Sequence, residues 1–394
     1  MTVLDRPHNE NGGAGTMGKC RMDRRTLLAA SGAALIAGPA RAAGSEPGWN
    51  VPGLEKAAAQ LQSWVADGRV AGACLLVRQR SKSGARQFAR NYGTARGPEP
   101  IFLLASITKP MTAAAVMTLV DAGELSLDDT VTKFFPQFKG EGREGITLRH
   151  CLTHTGGLPD MLPDDEMLRE KHAGLTDFRD GAFKAPLKFK PGTGYSYSSM
   201  GILISSQIAQ KITGVPFPKF IDQKIFKPLG MTRTSLGLMG RPNSQTVPSQ
   251  AAPAMTDAGK KSWPSWNWNS PYWRNLGAPW GGALGPAVDI GRFYNEFLLK
   301  RGTILKPGTE ALMIANQSPP GVKPSGLGFD LPPSVGAKSC GPRTFGHNGS
   351  TGTLSWCDPD TGTICVVLTT LYAAAVRPHP TRLVSELVGE AVKA

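Results

Sequence analysis

Long apolar runs are missing from this 394-residue chain. None reaches the roughly 18–20 residues that a bilayer-spanning helix needs, so no membrane span is expected in the mature chain. Acids are in short supply: 30 Asp and Glu stand against 44 Lys and Arg, a formal charge of +14. The basic residues are scattered, and no nucleic-acid motif accompanies them. A generally basic solvated surface is the expectation, with an anionic envelope polymer as a candidate partner and nucleic acid excluded. The six cysteines include no Cys-x-x-Cys pair, which argues against structural zinc, and no metal site is expected. Aromatics make up only 7% of the chain, and no internal repeat is present, so a solenoid is excluded. What remains is an ordinary globular composition, rich in Gly and Pro and long enough for a large core in two intimately connected lobes.

Residues 1–43 read as an export leader. Arg24-Arg25 precede Thr26-Leu27-Leu28 and an Ala/Gly/Leu-rich run to Gly38, and Ala40-Arg41-Ala42 offers a small-x-small cleavage signal. The paired arginines make it twin-arginine-like, which places the mature protein in the periplasm or outside the cell. Residues 1–16 are polar, and Met17 or Met22 is an alternative start. The leader holds six basic residues (Arg6, Lys19, Arg21, Arg24, Arg25, Arg41) and three acids (Asp5, Glu10, Asp23), so its removal takes the charge from +14 to +11. Cys20 leaves with it. Cys74, Cys151, Cys340, Cys357 and Cys365 remain, an odd count that requires a free thiol. Cys74 and Cys365 sit in apolar runs and read as buried hydrophobes. A Cys340–Cys357 pair is conceivable, but twin-arginine substrates fold before export, which argues against it.

Hydrophobic periodicity outlines residues 44–394. Leu54–Ala66 has helical spacing, and Val70–Arg78 and Gln87–Gly93 flank a polar loop as a hairpin. Helices are expected after Ser106, from Thr147 to Leu152, over Ile202–Ile212 up to Gly214, over Val288–Leu299, and over Thr381–Val392. Thr353–Trp356 and Thr363–Leu371 read as strands joined by Asp358-Pro359-Asp360-Thr361-Gly362. Strands at both ends and helices between them predict an α+β fold: a mainly antiparallel sheet, with a helical lobe over roughly residues 110–310 inserted into it.

The chemistry concentrates in Ser106-Ile107-Thr108-Lys109, which follows the apolar run Ile101–Ala105 and opens the alanine-rich stretch Met111–Val120. Residues i and i+3 share a helix face, so the lysine amine reaches the serine hydroxyl. A serine hydroxyl is a poor nucleophile without an adjacent base. A helix N-terminus and burial both disfavour the charged ammonium, and a neutral lysine can accept the serine proton. A second segment, Pro191-Gly192-Thr193-Gly194-Tyr195-Ser196-Tyr197-Ser198-Ser199, sets tyrosine at a helix start, where a tyrosinate is a candidate general base or proton relay. A third, Phe345-Gly346-His347-Asn348-Gly349-Ser350-Thr351-Gly352, has glycines that let backbone approach a ligand, and strand-edge N–H groups suited to an oxyanion. Read singly, the second and third segments fit an ordinary capping loop and a glycine-rich strand end.

In this order the three segments resemble the serine β-lactamase-like superfamily: class C β-lactamases, D-alanyl-D-alanine peptidases and family VIII carboxylesterases. Supporting signatures are Ile146 to Leu158, above all Thr153-His154-Thr155-Gly156-Gly157-Leu158, then Gly281-Gly282-Ala283-Leu284, Gly326-Leu327-Gly328-Phe329 and Trp356-Cys357-Asp358-Pro359. The resemblance spans roughly Leu54–Val392 and implies a β-lactamase/transpeptidase-like fold with the site between the two lobes. It implies Ser106 as the acylated nucleophile, Lys109 as its proton partner and Tyr197 as the relay to leaving group and water. It also implies an oxyanion hole from the N–H groups of Ser106 and Ser350, a structural His154, and no cofactor.

Two departures bear on substrate. Ser199 stands where the family carries the asparagine of Tyr-x-Asn, and serine cannot offer both amide groups. His347-Asn348-Gly349 replaces Lys-Thr-Gly, and a neutral histidine holds a substrate carboxylate less firmly than lysine. Both lean toward an esterase-like hydrolase acting on a small-molecule or peptide-like acyl substrate, ahead of a D-alanyl-D-alanine carboxypeptidase or a weak β-lactamase. A non-catalytic penicillin- or peptidoglycan-binding protein on the same scaffold is the alternative from another class. Five of the eight tryptophans fall between Trp263 and Trp280, and Trp263, Trp266 and Trp280 are expected to form a substrate wall or lid.

Overall fold

Segments from the two ends of the chain meet in one sheet. A computed structural model describes residues 48–81, 84–253 and 257–393; the leader and its cleavage signal lie outside them. The described residues form eight strands: β1 (Gly72–Ser81), β2 (Gly84–Gly93), β3 (Phe102–Leu103), β4 (Ser235–Leu236), β5 (Ala283–Gly285), β6 (Phe345–Gly349), β7 (Thr353–Asp358) and β8 (Thr363–Thr369). The main sheet has the order β2-β1-β8-β7-β6, and every pairing in it is antiparallel. The N-terminal hairpin joins the C-terminal strands through β1 and β8, with Ala73 opposite Thr369 and Val77 opposite Cys365.

Both faces of this sheet are covered. Leu75 and Val77 of β1 pack with Leu61 and Trp64 of the Val51–Ala66 helix and with Val384 and Val388 of the Pro380–Lys393 helix. Cys74 and Leu76 point the other way, into a core shared with Ile290, Phe293 and Phe297 of the Ala287–Leu299 helix. Alternate residues of a strand face opposite sides, so this two-sided burial follows from the apolar run itself. That second core continues without a break into the mid-chain helices. At its centre the Thr108–Asp121 helix is buried on nearly every face, as an alanine-rich helix permits. The Ser199–Thr213 helix beside it is capped by Ser198, whose Oγ accepts from Gly201 N at 2.9 Å, and ends at Gly214 with φ +68°.

The helix boundaries lie within a few residues of the sequence expectations. The Leu175–Lys184 and Asp257–Trp266 helices were not anticipated, nor was a small sheet of order β3-β5-β4. Its strands are only two or three residues long and leave no periodic trace. Cys74, Cys151, Cys340, Cys357 and Cys365 are all free thiols, so Cys340 and Cys357 do not pair.

Candidate active site

The small sheet sets the position of Ser106. β3 delivers the chain into a 3₁₀ turn, Ala105–Ile107, that runs straight into the Thr108–Asp121 helix. Leu104 N donates to Ala283 O at 2.8 Å, tying this corner to β5. Ala105 has φ +48°, a left-handed conformation uncommon for a residue with a Cβ and typical of backbone held by its surroundings. Residues three apart share a helix face, and across the junction of the turn with the helix this brings Lys109 to Ser106. Lys109 Nζ lies 3.0 Å from Ser106 Oγ and 2.9 Å from the Trp280 carbonyl oxygen. Lys109 is fully buried, and that burial lowers its pKa to about 8 against the opposing pull of Asp160 and Asp330.

Tyr197 completes the cluster. It lines the same cavity as Ser106, and Lys109 Nζ sits 4.6 Å from its ring centroid. Burial holds the Tyr197 phenol well above its ordinary range, with Asp160 and Asp330 adding to the rise, so at neutral pH the resting side chain is a phenol. The tyrosinate contemplated from sequence is therefore not the resting form. His154, in the left-handed conformation that ends the Leu148–Thr153 helix, accepts from Ser198 N at 3.1 Å through Nδ1 and packs 4.8 Å from the Tyr197 ring. Burial, then Lys109, push its pKa well below the usual imidazole value; it orients the tyrosine loop as a neutral ring.

The β6–β7 hairpin clamps onto the residues before Ser106. Thr351 Oγ1 donates to Leu103 O at 2.8 Å, and Thr353 Oγ1 to Leu104 O at 2.9 Å. A Cβ on Gly349 would lie 2.6 Å from Leu104 O and 3.1 Å from Ala105 Cβ, so the strand passes where only glycine fits. Ser350 thereby lines the same cavity as Ser106, and its N–H has no intramolecular acceptor among the described residues.

The cavity measures 620 Å³ and brings together Ser106, Tyr197, Ser199, His347, Gly349, Ser350 and Trp280, with Lys109 buried beneath Ser106. Ser199 Oγ donates to Asp160 Oδ1 at 2.6 Å, and the same oxygen accepts from Ser199 N at 3.1 Å. His347 is buried, with Nδ1 2.7 Å from Asn348 O, and burial lowers its pKa. The tryptophan wall needs correction. Trp268, Trp273 and Trp280 line the cavity, whereas Trp263 and Trp266 do not. Those two lie on the Asp257–Trp266 helix, where Trp263 Nε1 donates to Ala252 O at 3.1 Å and Trp266 Nε1 to Ser262 Oγ at 2.9 Å.

Sequence reasoning missed Tyr195, Lys323, Asp160 and Asp330. Lys323 Nζ donates to Tyr195 Oη at 3.1 Å and lies 3.9 Å from Asp330 Oδ1. Each aspartate follows a signature already noted, Asp160 after Gly156-Gly157-Leu158-Pro159 and Asp330 after Gly326-Leu327-Gly328-Phe329, so adjacency to those motifs was the available signal.

Comparison with known proteins bears on the family and the fold. The Beta-lactamase family model matches residues 54–387. Esterase EstB of Burkholderia gladioli is 34% identical over 157 residues, 36% of this chain and 40% of that protein. Penicillin-binding protein 4* of Bacillus subtilis (strain 168) is 35% identical over 138 residues, 34% of this chain and 30% of that protein. The matched stretches thus span less than half the length of these relatives. Among solved structures, D-amino acid amidase from Ochrobactrum anthropi SV3 superposes with a TM-score of 0.70 at 23% identity, over 86% of this chain and 99% of that one. EstCE1, a hydrolase with promiscuous acyltransferase activity, gives 0.69 at 20% identity over 87% and 99%. These likenesses share one fold, the family match covers nearly all of it, and the chain belongs to the beta-lactamase family.

Proposed function

We propose that this protein is an exported serine hydrolase, periplasmic or extracellular, that opens ester or amide bonds through an acyl-enzyme on Ser106. The observation that carries this reading is the 3.0 Å contact between Ser106 Oγ and the Nζ of a buried lysine whose pKa lies near 8. Neutral Lys109 takes the Ser106 proton as Oγ attacks the substrate carbonyl carbon. The carbonyl oxygen becomes an oxyanion, held by the N–H groups of Ser106 and Ser350. Collapse expels the alcohol or amine, which receives its proton through the Tyr197 hydroxyl; Tyr197 is re-protonated by Lys109. Water then attacks the acyl carbonyl, delivers its proton back along the same route, and releases the acid with Ser106 restored.

Ester substrates are favoured over β-lactams and D-alanyl peptides. Ser199 has its hydroxyl proton committed to Asp160, and a buried neutral His347 offers no charge to a substrate carboxylate. Mass spectrometry after treatment with a fluorophosphonate or a penicillin tests the reading. One adduct at Ser106, absent in Ser106→Ala, is expected; no adduct with either reagent would favour a non-catalytic binding protein. A panel of p-nitrophenyl esters, nitrocefin and D-alanyl-D-alanine peptides then ranks the activities.

A further inference from the structure

The polar groups of the cavity are unevenly matched. The Ser350 N–H and Trp273 Nε1 are open donors, but its charged donors already have partners: Lys109 contacts Ser106 and Trp280 O, Lys323 donates to Tyr195, and Arg169 is ion-paired with Asp165 at 2.8 Å. Its acceptors do not. Asp330 lies 3.9 Å from both Lys323 Nζ and His347 Nδ1, beyond hydrogen-bond reach of either. His347 has only 2% of its surface exposed, and its Nδ1 faces the Asn348 carbonyl oxygen, which can only accept. Nδ1 therefore carries the ring proton, and Nε2 of this neutral imidazole is a bare lone pair with no protein partner among the described residues. Ser199, its own proton given to Asp160, likewise offers the cavity only lone pairs.

A ligand group that satisfies the Asp330, His347 and Ser199 acceptors must bring hydrogen-bond donors, and one near Asp330 gains from bringing positive charge. A carboxylate there would meet the Asp330 charge and the His347 and Ser199 lone pairs. Resting on the acyl-enzyme reading above, we infer that the cavity selects acyl substrates bearing a protonated amine near the scissile carbonyl, with Asp330 and His347 Nε2 receiving its N–H groups.

Three isosteric methyl esters test this at pH 6.5 by pH-stat: alanine methyl ester as each enantiomer, methyl isobutyrate with methyl for ammonium, and monomethyl methylmalonate with carboxylate for ammonium. The alanine ester, in at least one enantiomer, is expected to exceed methyl isobutyrate about tenfold or more in kcat/KM, the scale of one charge-assisted hydrogen bond, with the malonate slowest. Asp330→Asn is expected to bring the alanine-to-isobutyrate ratio close to one, with fluorophosphonate labelling of Ser106 showing that the variant's site is intact. A wild-type ratio of one or less, or a ratio unmoved by Asp330→Asn, overturns the inference. Hydrolysis of none of the three esters while Ser106 still labels also overturns it and leaves the acyl-enzyme reading standing. Failure of wild-type Ser106 to label removes that reading, and this inference with it.

Discussion

Acylation by this enzyme should carry the titration of Lys109. A lysine at its ordinary pKa of 10.5 is neutral about once in 3,000 molecules at pH 7, whereas one at about 8 is neutral roughly one time in ten. Burial thus supplies roughly a 300-fold gain in the form that can accept the Ser106 proton. The active species is the deprotonated one, so kcat/KM for a non-ionising ester such as p-nitrophenyl acetate should rise nearly tenfold per pH unit between pH 5.5 and 7. It should reach half its plateau near pH 8. Burial moves the other groups facing Lys109 away from pH 8: it lowers His154 and His347 and raises Tyr197. Asp160 pulls the lysine upward, so Asp160→Asn should move the half-maximum to lower pH while keeping an oxygen toward Ser199. Background-corrected initial rates from pH 5.5 to 10 give the profile. A flat profile between pH 6 and 8, a half-maximum near 10, or an upward shift in Asp160→Asn would refute the assignment of Lys109 as base.

Three further outcomes follow from the packing. Gly349→Ala should lower acylation about tenfold or more while near-ultraviolet circular dichroism stays native, because the new Cβ must displace Leu104 O or Thr353 Oγ1 beside the nucleophile turn. Trp266→Ala should cost about 3–5 kcal/mol in urea unfolding and leave KM for active esters unchanged, whereas Trp280→Ala should raise KM, since only Trp280 of the two lines the cavity. Away from the site, burial and then Glu296 raise the pKa of buried Glu310 from 4.5 to about 8. The folded state then holds a proton that the unfolded state releases, so this contribution is complete below pH 4.5 and is lost as pH rises through about 8. The urea midpoint should fall between pH 5 and 8.5, and Glu310→Gln should flatten that fall.

Much of this fold could be read from local pattern. The Val51–Ala66, Ser199–Thr213 and Pro380–Lys393 helices announce themselves by 3.6-residue spacing, Asn50 and Ser198 caps and the Gly214 stop. β1 and β8 announce themselves as apolar runs, and Ser106 with Lys109 by a spacing of three. The tryptophan cluster misled because proximity in sequence was taken for proximity in space. Trp263 and Trp266 turn to their own helix and the neighbouring loop, while Trp268, Trp273 and Trp280 turn to the cavity.

The chain's own order of residues determined the elements, the family motifs and the three-residue spacing of Ser106 and Lys109, because each depends on neighbours within a turn or two of one another. Only the tertiary structure decided what surrounds them. Leu103 pairs with Leu284, Lys109 meets the Trp280 carbonyl, Ser199 meets Asp160, and Asp330 comes to His347 from a separate loop. Such contacts join residues far apart in sequence and are set by how strands register and helices pack. The lysine's lowered pKa and the cavity's unmatched acceptors exist only once those distant segments have excluded water and brought their charges together.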